Sequence, residues 1–373
     1  MALVLNEEHT MLRDSARDFL KSRAPVSHLR SLRDGANPKG FSRELWSEMV
    51  EMGWPAILVP EQYGGLEYGY TGIGIVLEES GRTLTPSPLL CTAMMGAAAI
   101  VKAGSDEQRD SILPRIAGGR HLLALACDES PRHAPHKIDT EAVAHGASYR
   151  ISGNKTGVAD GHIADTFIVS ARTGAGISLF LVPAGAAGVT VKPYRVLDTH
   201  FAANVSFDRV EVQEQDLLGP LNGGIKILDY ILDVARAGVS AELLGIAQEA
   251  FERTIGYLKE RKQFGVPIGS FQALQHRAAQ LYTELEMCKS LVIKTLQTLD
   301  EKADGDAELV SLTKSKLGET AHLATTEAIQ MHGGIGMTDE FDIGFFLKRC
   351  RILENLYGDS YYHLDRFARQ RAY

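Results

Sequence analysis

The 373 residues contain no uninterrupted apolar run of membrane-spanning length, no low-complexity segment and no internal repeat, so neither a transmembrane helix nor a solenoid is expected. An excess of positive charge is missing too. With 39 Lys and Arg against 47 Asp and Glu the net charge is −8, which gives no basic field for nucleic acid or an anionic membrane. Cys91, Cys127, Cys288 and Cys350 are scattered, without the paired spacing of zinc or thiol redox sites, and read as buried free thiols. His133 and His136 form a His-x-x-His in a proline-containing stretch with no second cluster to complete a metal site, so they read as loop residues and no metal is expected. The opening run from Met1 to Glu8 lacks the basic flank and apolar core of a signal peptide, and the chain reads as cytoplasmic.

What is present is an ordinary composition, 45% hydrophobic and 23% charged, in a chain long enough for two or three domains. Apolar residues recur at three- and four-residue steps in Glu7 to Leu20, Phe41 to Met52, Tyr70 to Leu84 and Leu90 to Ala103, which predicts helices over residues 1–120. Proline and paired glycine from Gly53 to Gly65 force an irregular connection there. Over 121–220 the period falls to two in short runs, Tyr149 to Ile151, Thr166 to Ser170, Ile177 to Val182 and Val205 to Phe207, as in an antiparallel barrel or sandwich. Helical periodicity returns over 221–373, in segments near 224–262, 271–300, 306–331 and 341–370, and predicts a bundle.

Two segments carry chemistry. Arg261 to Gln272 (RKQFGVPIGSFQ) offers a guanidinium, Phe264 and an amide; Gln330 to Gly336 (QMHGGIG) offers Gln330 and a backbone freed by Gly333, Gly334 and Gly336. A dinucleotide pyrophosphate needs such donors, and glycines let the backbone come close enough to supply its N–H groups. Gly333 to Gly336 alone also reads as a helix C-cap and turn.

Together these segments resemble the two flavin-gripping signatures of the acyl-CoA dehydrogenase family. The turn Val59 to Gly65 (VPEQYGG) and the helical, β, helical order resemble it as well, over essentially the whole chain. The resemblance implies an α+β multidomain fold of an N-terminal helical domain, a middle β domain and a C-terminal four-helix bundle. It implies FAD held extended at a subunit interface, an acyl-CoA substrate oxidised to a trans-2-enoyl-CoA, an electron-transferring flavoprotein as acceptor, and a homo- or hetero-oligomer, a dimer of dimers. A role in fatty acid or sterol side-chain degradation is in keeping with it.

In that family a glutamate takes the α proton, from a "Y-E-G-T" turn or from the helix that opens the last domain. Neither place holds one here. Leu232 to Arg236 (LDVAR) resembles "L-D-x-E-R" with Ala235 in the acid's place, and the resemblance makes Arg236 a substrate-side residue. At Leu356 to Ser360 (LYGDS), matching the tyrosines puts Gly358 beside Tyr357 in the base's place, whereas matching a downstream arginine to Arg366 puts Asp359 there. Asp359 is then the candidate base, reaching one methylene less far than glutamate; equally, it caps the last helix.

In the β domain the family's glycine-rich flavin-facing segment becomes Asp128 to His133 (DESPRH). The segment that bears a ring-shielding tryptophan and a threonine becomes Ser152 to Gly161 (SGNKTGVADG), with Gly157 and Ala159 in their places. Asp128 and the Ala159 backbone remain cofactor candidates. Residues that grip a neighbour's dinucleotide are thus kept, while those facing the chain's own flavin ring are changed. This pattern resembles one chain of a heteromeric enzyme, either active with Asp359 as base or a noncatalytic chain that completes a partner's FAD site. Oxygen or nitro-compound chemistry on the same fold is a third reading.

Overall fold

The computed structural model describes residues 3–35, 37, 39–301 and 306–373; Met1 and Ala2 of the amino-terminal run lie outside them. In chain order come α1 (Glu7–Arg23), α2 (Val26–Asp34), α3 (Arg43–Glu51), α4 (Gly69–Thr83), a π-helical turn Leu89–Gly96 running into α5 (Ala97–Ala103), and α6 (Asp106–Ala117). Strands follow: β1 (Leu123–Ala126), β2 (Glu141–His145), β3 (Ser148–Ala159), β4 (Thr166–Thr173), β5 (Gly176–Pro183), β6 (Val189–Arg195) and β7 (Phe201–Gln213). The chain ends with α7 (Gly224–Glu260), the hairpin β8 (Lys262–Gln263) and β9 (Val266–Pro267), α8 (Gln272–Glu301), α9 (Ala307–His332), α10 (Ile343–Asn355) and α11 (Ser360–Gln370). Among the described residues no helix is long and apolar enough to cross a membrane.

Local chemistry sets the helix starts. Asn6 Oδ1 accepts from the His9 N–H at 2.7 Å at the head of α1, where Glu7 and Glu8 also favour the positive end of the helix dipole. Ser105 and Gln108 form a reciprocal capping box on α6, and Asp306 Oδ1 accepts from Leu309 N–H at 3.1 Å on α9. Two helices, α2 and α6, lie outside the segments that the periodicity predicts.

The chain divides into two compact units. The first comprises the chain up to Ser31, Tyr70–Thr85 and Arg236–Tyr373, so α1 and α4 pack with the carboxy-terminal helices. Here α4 crosses α7 backbone against backbone: a Cβ on Gly245 would collide with the Glu78 carbonyl, and one on Gly81 with the Glu242 carbonyl. Only glycine permits so close an approach. Charged groups buried beside the crossing are paired, Arg82 with Glu249 (2.9 Å), Glu79 with Arg17 (2.6 Å) and Glu242 with Arg349 (2.7 Å), as low-dielectric burial requires.

The second unit comprises Leu32–Gly69 and Pro86–Ala235 and contains the large sheet. Its order is β1-β4-β2-β3-β7-β6, with β5 added to the other side of β4. The sheet is mixed and not wholly antiparallel, because β1 and β2 both pair with β4 in parallel. β3 and β7 are also far longer than the short apolar runs indicated; their outward positions are polar, so the sequence alternation fades while pairing continues from Ser148↔Gln213 to Ala159↔Ala202. The inner face packs Ile151, Phe167, Val169, Phe180, Val205 and Phe207 into the core. At the carboxy terminus the helical segment over 341–370 is α10 and α11, parted where Tyr357 (φ 59°) and Gly358 (φ 112°) leave helical space, ahead of the last helix that Asp359 caps.

The α4–α7 crossing yields a paired prediction. Gly245→Ala should lower stability by about 1–3 kcal/mol through overpacking, whereas Gly256→Ala in the same helix, where a Cβ meets nothing within 4 Å, should be neutral or stabilise by up to ~1 kcal/mol. Denaturant midpoints at constant slope measure both.

Candidate functional site

In the first unit the turn between α10 and α11 is the centre of a buried basic cluster. Arg236, on α7, is fully buried; its Nε donates to the Tyr357 carbonyl at 3.0 Å and its Nη2 to the Tyr362 hydroxyl at 3.2 Å. The guanidinium also lies 5.4 Å from the centre of the Tyr362 ring. From α11, His363 Nε2 donates to the same Tyr357 carbonyl at 3.2 Å. From α9, Lys314 Nζ donates to the carbonyls of Glu354 and Gly358, both at 3.0 Å.

Burial and like charge set the protonation states. His363 lies far below its ordinary pKa, first because it is buried and then because Arg236, Lys314 and Arg366 are near; its ring is therefore neutral, with the proton on Nε2 where the carbonyl accepts it. Lys314 is pushed down to about 7, by burial first and Arg236 second. A neutral amine has two N–H bonds for its two carbonyl acceptors, whereas an ammonium would carry a third hydrogen.

The turn itself holds no inward carboxylate. A Cβ at Gly358 would collide with the Tyr362 ring and stand 2.8 Å from His363 Nε2, and φ of 112° excludes ordinary side chains. Asp359 is exposed and caps α11, its Oδ1 accepting from Tyr362 N–H at 2.7 Å. Of the alternatives open in the sequence, the cap is the use the structure displays. Glu354 turns toward Arg351 (2.5 Å) and His322 (3.4 Å). Ala235 is buried, with no polar side chain to offer.

A second group of residues lies at the surface of the same unit. Arg261, Phe264, Gln272, Gln330, Gly333 and Gly334 are all exposed, whereas Gly336 is buried. The ends of α7 and α9 meet through Tyr257 and His332, whose rings are 4.4 Å apart, which brings the Arg261 hairpin and the Gly333 loop to one end of the unit. Phe264 and Gly265 have φ of 53° and 82°, the two left-handed residues of a tight hairpin, and this turn holds Phe264 93% exposed. A Cβ on Gly333 or Gly334 would meet nothing within 4 Å, so a ligand can approach that backbone closely. An exposed guanidinium, amides and open backbone N–H groups form a donor set that fits a pyrophosphate.

In the second unit Asp128 is occupied with its own loop: Oδ2 bonds His133 Nδ1 at 2.8 Å and Oδ1 accepts from Ala134 N–H at 3.1 Å. His136 pairs with Asp229 at 2.6 Å, so the two histidines serve separate loop contacts. The Ala159 carbonyl faces the Cys91 thiol at 3.7 Å. Gly157 is exposed at φ 64°, and a Cβ there would find only the Tyr194 hydroxyl, at 3.8 Å. Behind it, the buried Lys155 bonds Glu129 at 2.7 Å, Ser170 Oγ at 3.0 Å and the Cys127 carbonyl at 3.3 Å.

Sequence reasoning missed Lys155, Lys314 and His363. The signal for the lysines was weak: Lys155 and Lys314 stand among small and polar neighbours, a pattern that more often places the charge in solvent.

Comparison with known proteins divides the chain into three consecutive domains. Residues 6–120, 130–210 and 222–371 match the family models for the N-terminal, middle and C-terminal domains of acyl-CoA dehydrogenases. The chain is 30% identical to the probable acyl-CoA dehydrogenase YngJ of Bacillus subtilis, covering 95% of each. It is 28% identical to CarC, a subunit of the caffeyl-CoA reductase–Etf complex of Acetobacterium woodii, covering 96% of each. Among solved structures, a variant of the Tcur3481–Tcur3483 steroid ACAD superposes with a TM-score of 0.90 at 31% identity, over 98% of both chains.

The geometry separates two roles for Asp359: Asp359→Ala should cost about 1 kcal/mol of stability and Asp359→Asn almost none, since asparagine caps as well. For Lys314 the folded pKa lies below the unfolded value, so the unfolded chain binds the extra proton and stability rises with pH from about 7 toward 10, by up to about 1 kcal/mol per pH unit. Denaturation of the wild type and Lys314→Met across that range measures it, and the variant should lose that slope.

Proposed function

The chain belongs to the acyl-CoA dehydrogenase family, oxidoreductases acting on CH–CH groups, and on that footing we propose that it is one chain of a heteromeric FAD-dependent acyl-CoA dehydrogenase whose base is supplied by a related partner chain. The observation that carries this reading is the turn at Gly358: its backbone leaves no room for a side chain, and the neighbouring Asp359 is engaged as a helix cap.

Arg261, Phe264, Gln272, Gln330 and the N–H groups of Gly333 to Gly336 would hold the dinucleotide of FAD. When bound, FAD supplies the acceptor for the β hydride of the thioester. A carboxylate on the partner chain takes the α proton, because that weakly acidic position needs a base within hydrogen-bond reach. The product is a trans-2-enoyl-CoA, and an electron-transferring flavoprotein carries the electrons away. Partner complexes of both kinds occur among the relatives, as the names of the Tcur3481–Tcur3483 enzyme and of CarC state.

The substrate class proposed is a bulky acyl-CoA, branched or ring-bearing, of fatty acid or sterol side-chain type. Support comes from Gly157, beside which a large side chain is missing and only Tyr194 stands, and from the steroid ACAD in the comparison. A cytoplasmic dimer of dimers completes the proposal.

Purified alone, the chain should carry little FAD, and co-expression with a related chain bearing the Y-E-G-T glutamate should restore both flavin and acyl-CoA-dependent bleaching. In that complex Asp359→Asn should leave turnover within about twofold of wild type, while removing the partner's glutamate should lower it by at least ~100-fold. Near-stoichiometric FAD in the lone chain, bleached by an acyl-CoA and no longer bleached in Asp359→Asn, would instead establish Asp359 as the base.

A further inference from the structure

Away from both residue groups, the first unit contains a cavity of about 390 Å³ between the amino-terminal segment, α1, α4 and α8. Leu5, Ile75, Val292, Ile293 and Leu296 make most of its wall apolar. Glu78 opens into it from α4, half-buried, and among the described residues no hydrogen bond or ion pair engages its carboxylate.

The charges around Glu78 are committed elsewhere. On α4 itself, Glu79 is paired with Arg17 of α1 at 2.6 Å, and Arg82 with Glu249 of α7 at 2.9 Å. Arg13 of α1 bonds Asp14 at 2.9 Å, and on α8 Lys289 faces Glu286 at 3.4 Å. Burial, reinforced by Glu79 and opposed by Arg82, Lys289 and Arg17, raises the Glu78 carboxyl to about 7. Binding sites for small molecules have this composition: a mostly apolar cavity of a few hundred cubic ångströms with very few fixed polar groups.

We propose that this cavity is a binding site for a small lipophilic amine, whose ammonium pairs with the Glu78 carboxylate while its alkyl or aryl group lies against Ile75, Val292, Ile293 and Leu296. Charge complementarity selects the amine. Among the described residues every other charged lining residue has a partner of opposite sign, so the unmet charge there is a single anion next to an apolar wall. An ammonium seated there meets the carboxylate at the edge of an apolar wall, where the attraction is screened less than in open water. The site is independent of the flavin and acyl-CoA reading, since none of its residues belongs to either group described above.

The test uses n-hexylammonium as probe, with n-hexanol and hexanoate as controls of similar length, titrated calorimetrically into the purified chain. Hexylammonium should bind best, and from pH 6 to pH 8 its affinity should rise by about tenfold as Glu78 ionises. Glu78→Gln, which keeps the shape and removes the charge, should weaken it by at least ~10-fold and abolish the pH dependence. Preference for hexanoate, or hexylammonium affinity independent of pH in the wild type, overturns the proposal without recourse to the variant. Equal affinity in wild type and Glu78→Gln overturns it as well.

Discussion

Three basic side chains fastened to the backbone carbonyls of one turn are the constraint on which the rest of the first unit's chemistry depends. Tyr357, a non-glycine residue, stands in left-handed backbone just past α10, and Gly358 follows at φ 112°. Arg236, His363 and Lys314 hold them there from three different helices. Each donor is also consumed by this: a guanidinium, an imidazole and an amine that could have faced a substrate face the main chain. The turn is therefore tied to three helices and, among the described residues on its inner side, without acid.

The two residue groups of the unit respond differently to solvent, and that difference is informative. Buried polar groups around Tyr357 are almost all paired within the chain, as a finished structural cluster should be. Arg261, Phe264, Gln272 and the Gly333 loop are instead open, with a phenylalanine held out at the tip of a hairpin. An exposed aromatic in left-handed backbone makes little contribution to the stability of a lone chain; it makes sense as a surface awaiting a ligand or another subunit.

Much of this was legible in the residues. Helical periodicity gave α1, α4 and α7 to within a few positions, because long amphipathic or wholly buried helices repeat their pattern many times. The glycine-rich loop and the Arg261 hairpin were also recognisable, since turn chemistry is local. The mixed sheet was not, because β1 and β2 meet β4 in parallel through pairings that no neighbouring residues announce. The start of a last helix at Asp359 was readable as a cap, but the restriction at Gly358 was not: the collision that forbids a side chain comes from Tyr362 and His363, one helical turn onward. Lys314 escaped for the same reason, its carbonyl acceptors being 40 and 44 residues away in sequence.

The Gly358 backbone also bears on the history open to this chain. A single codon change to glutamate there would install a carboxylate in a position that its own neighbours refuse, so selection could not recover a base at this site one step at a time. Tyr362, His363 and the φ of two residues would have to change together. On the heteromeric reading proposed above, dependence on another gene product for that proton transfer becomes a ratchet that only several coordinated changes can release.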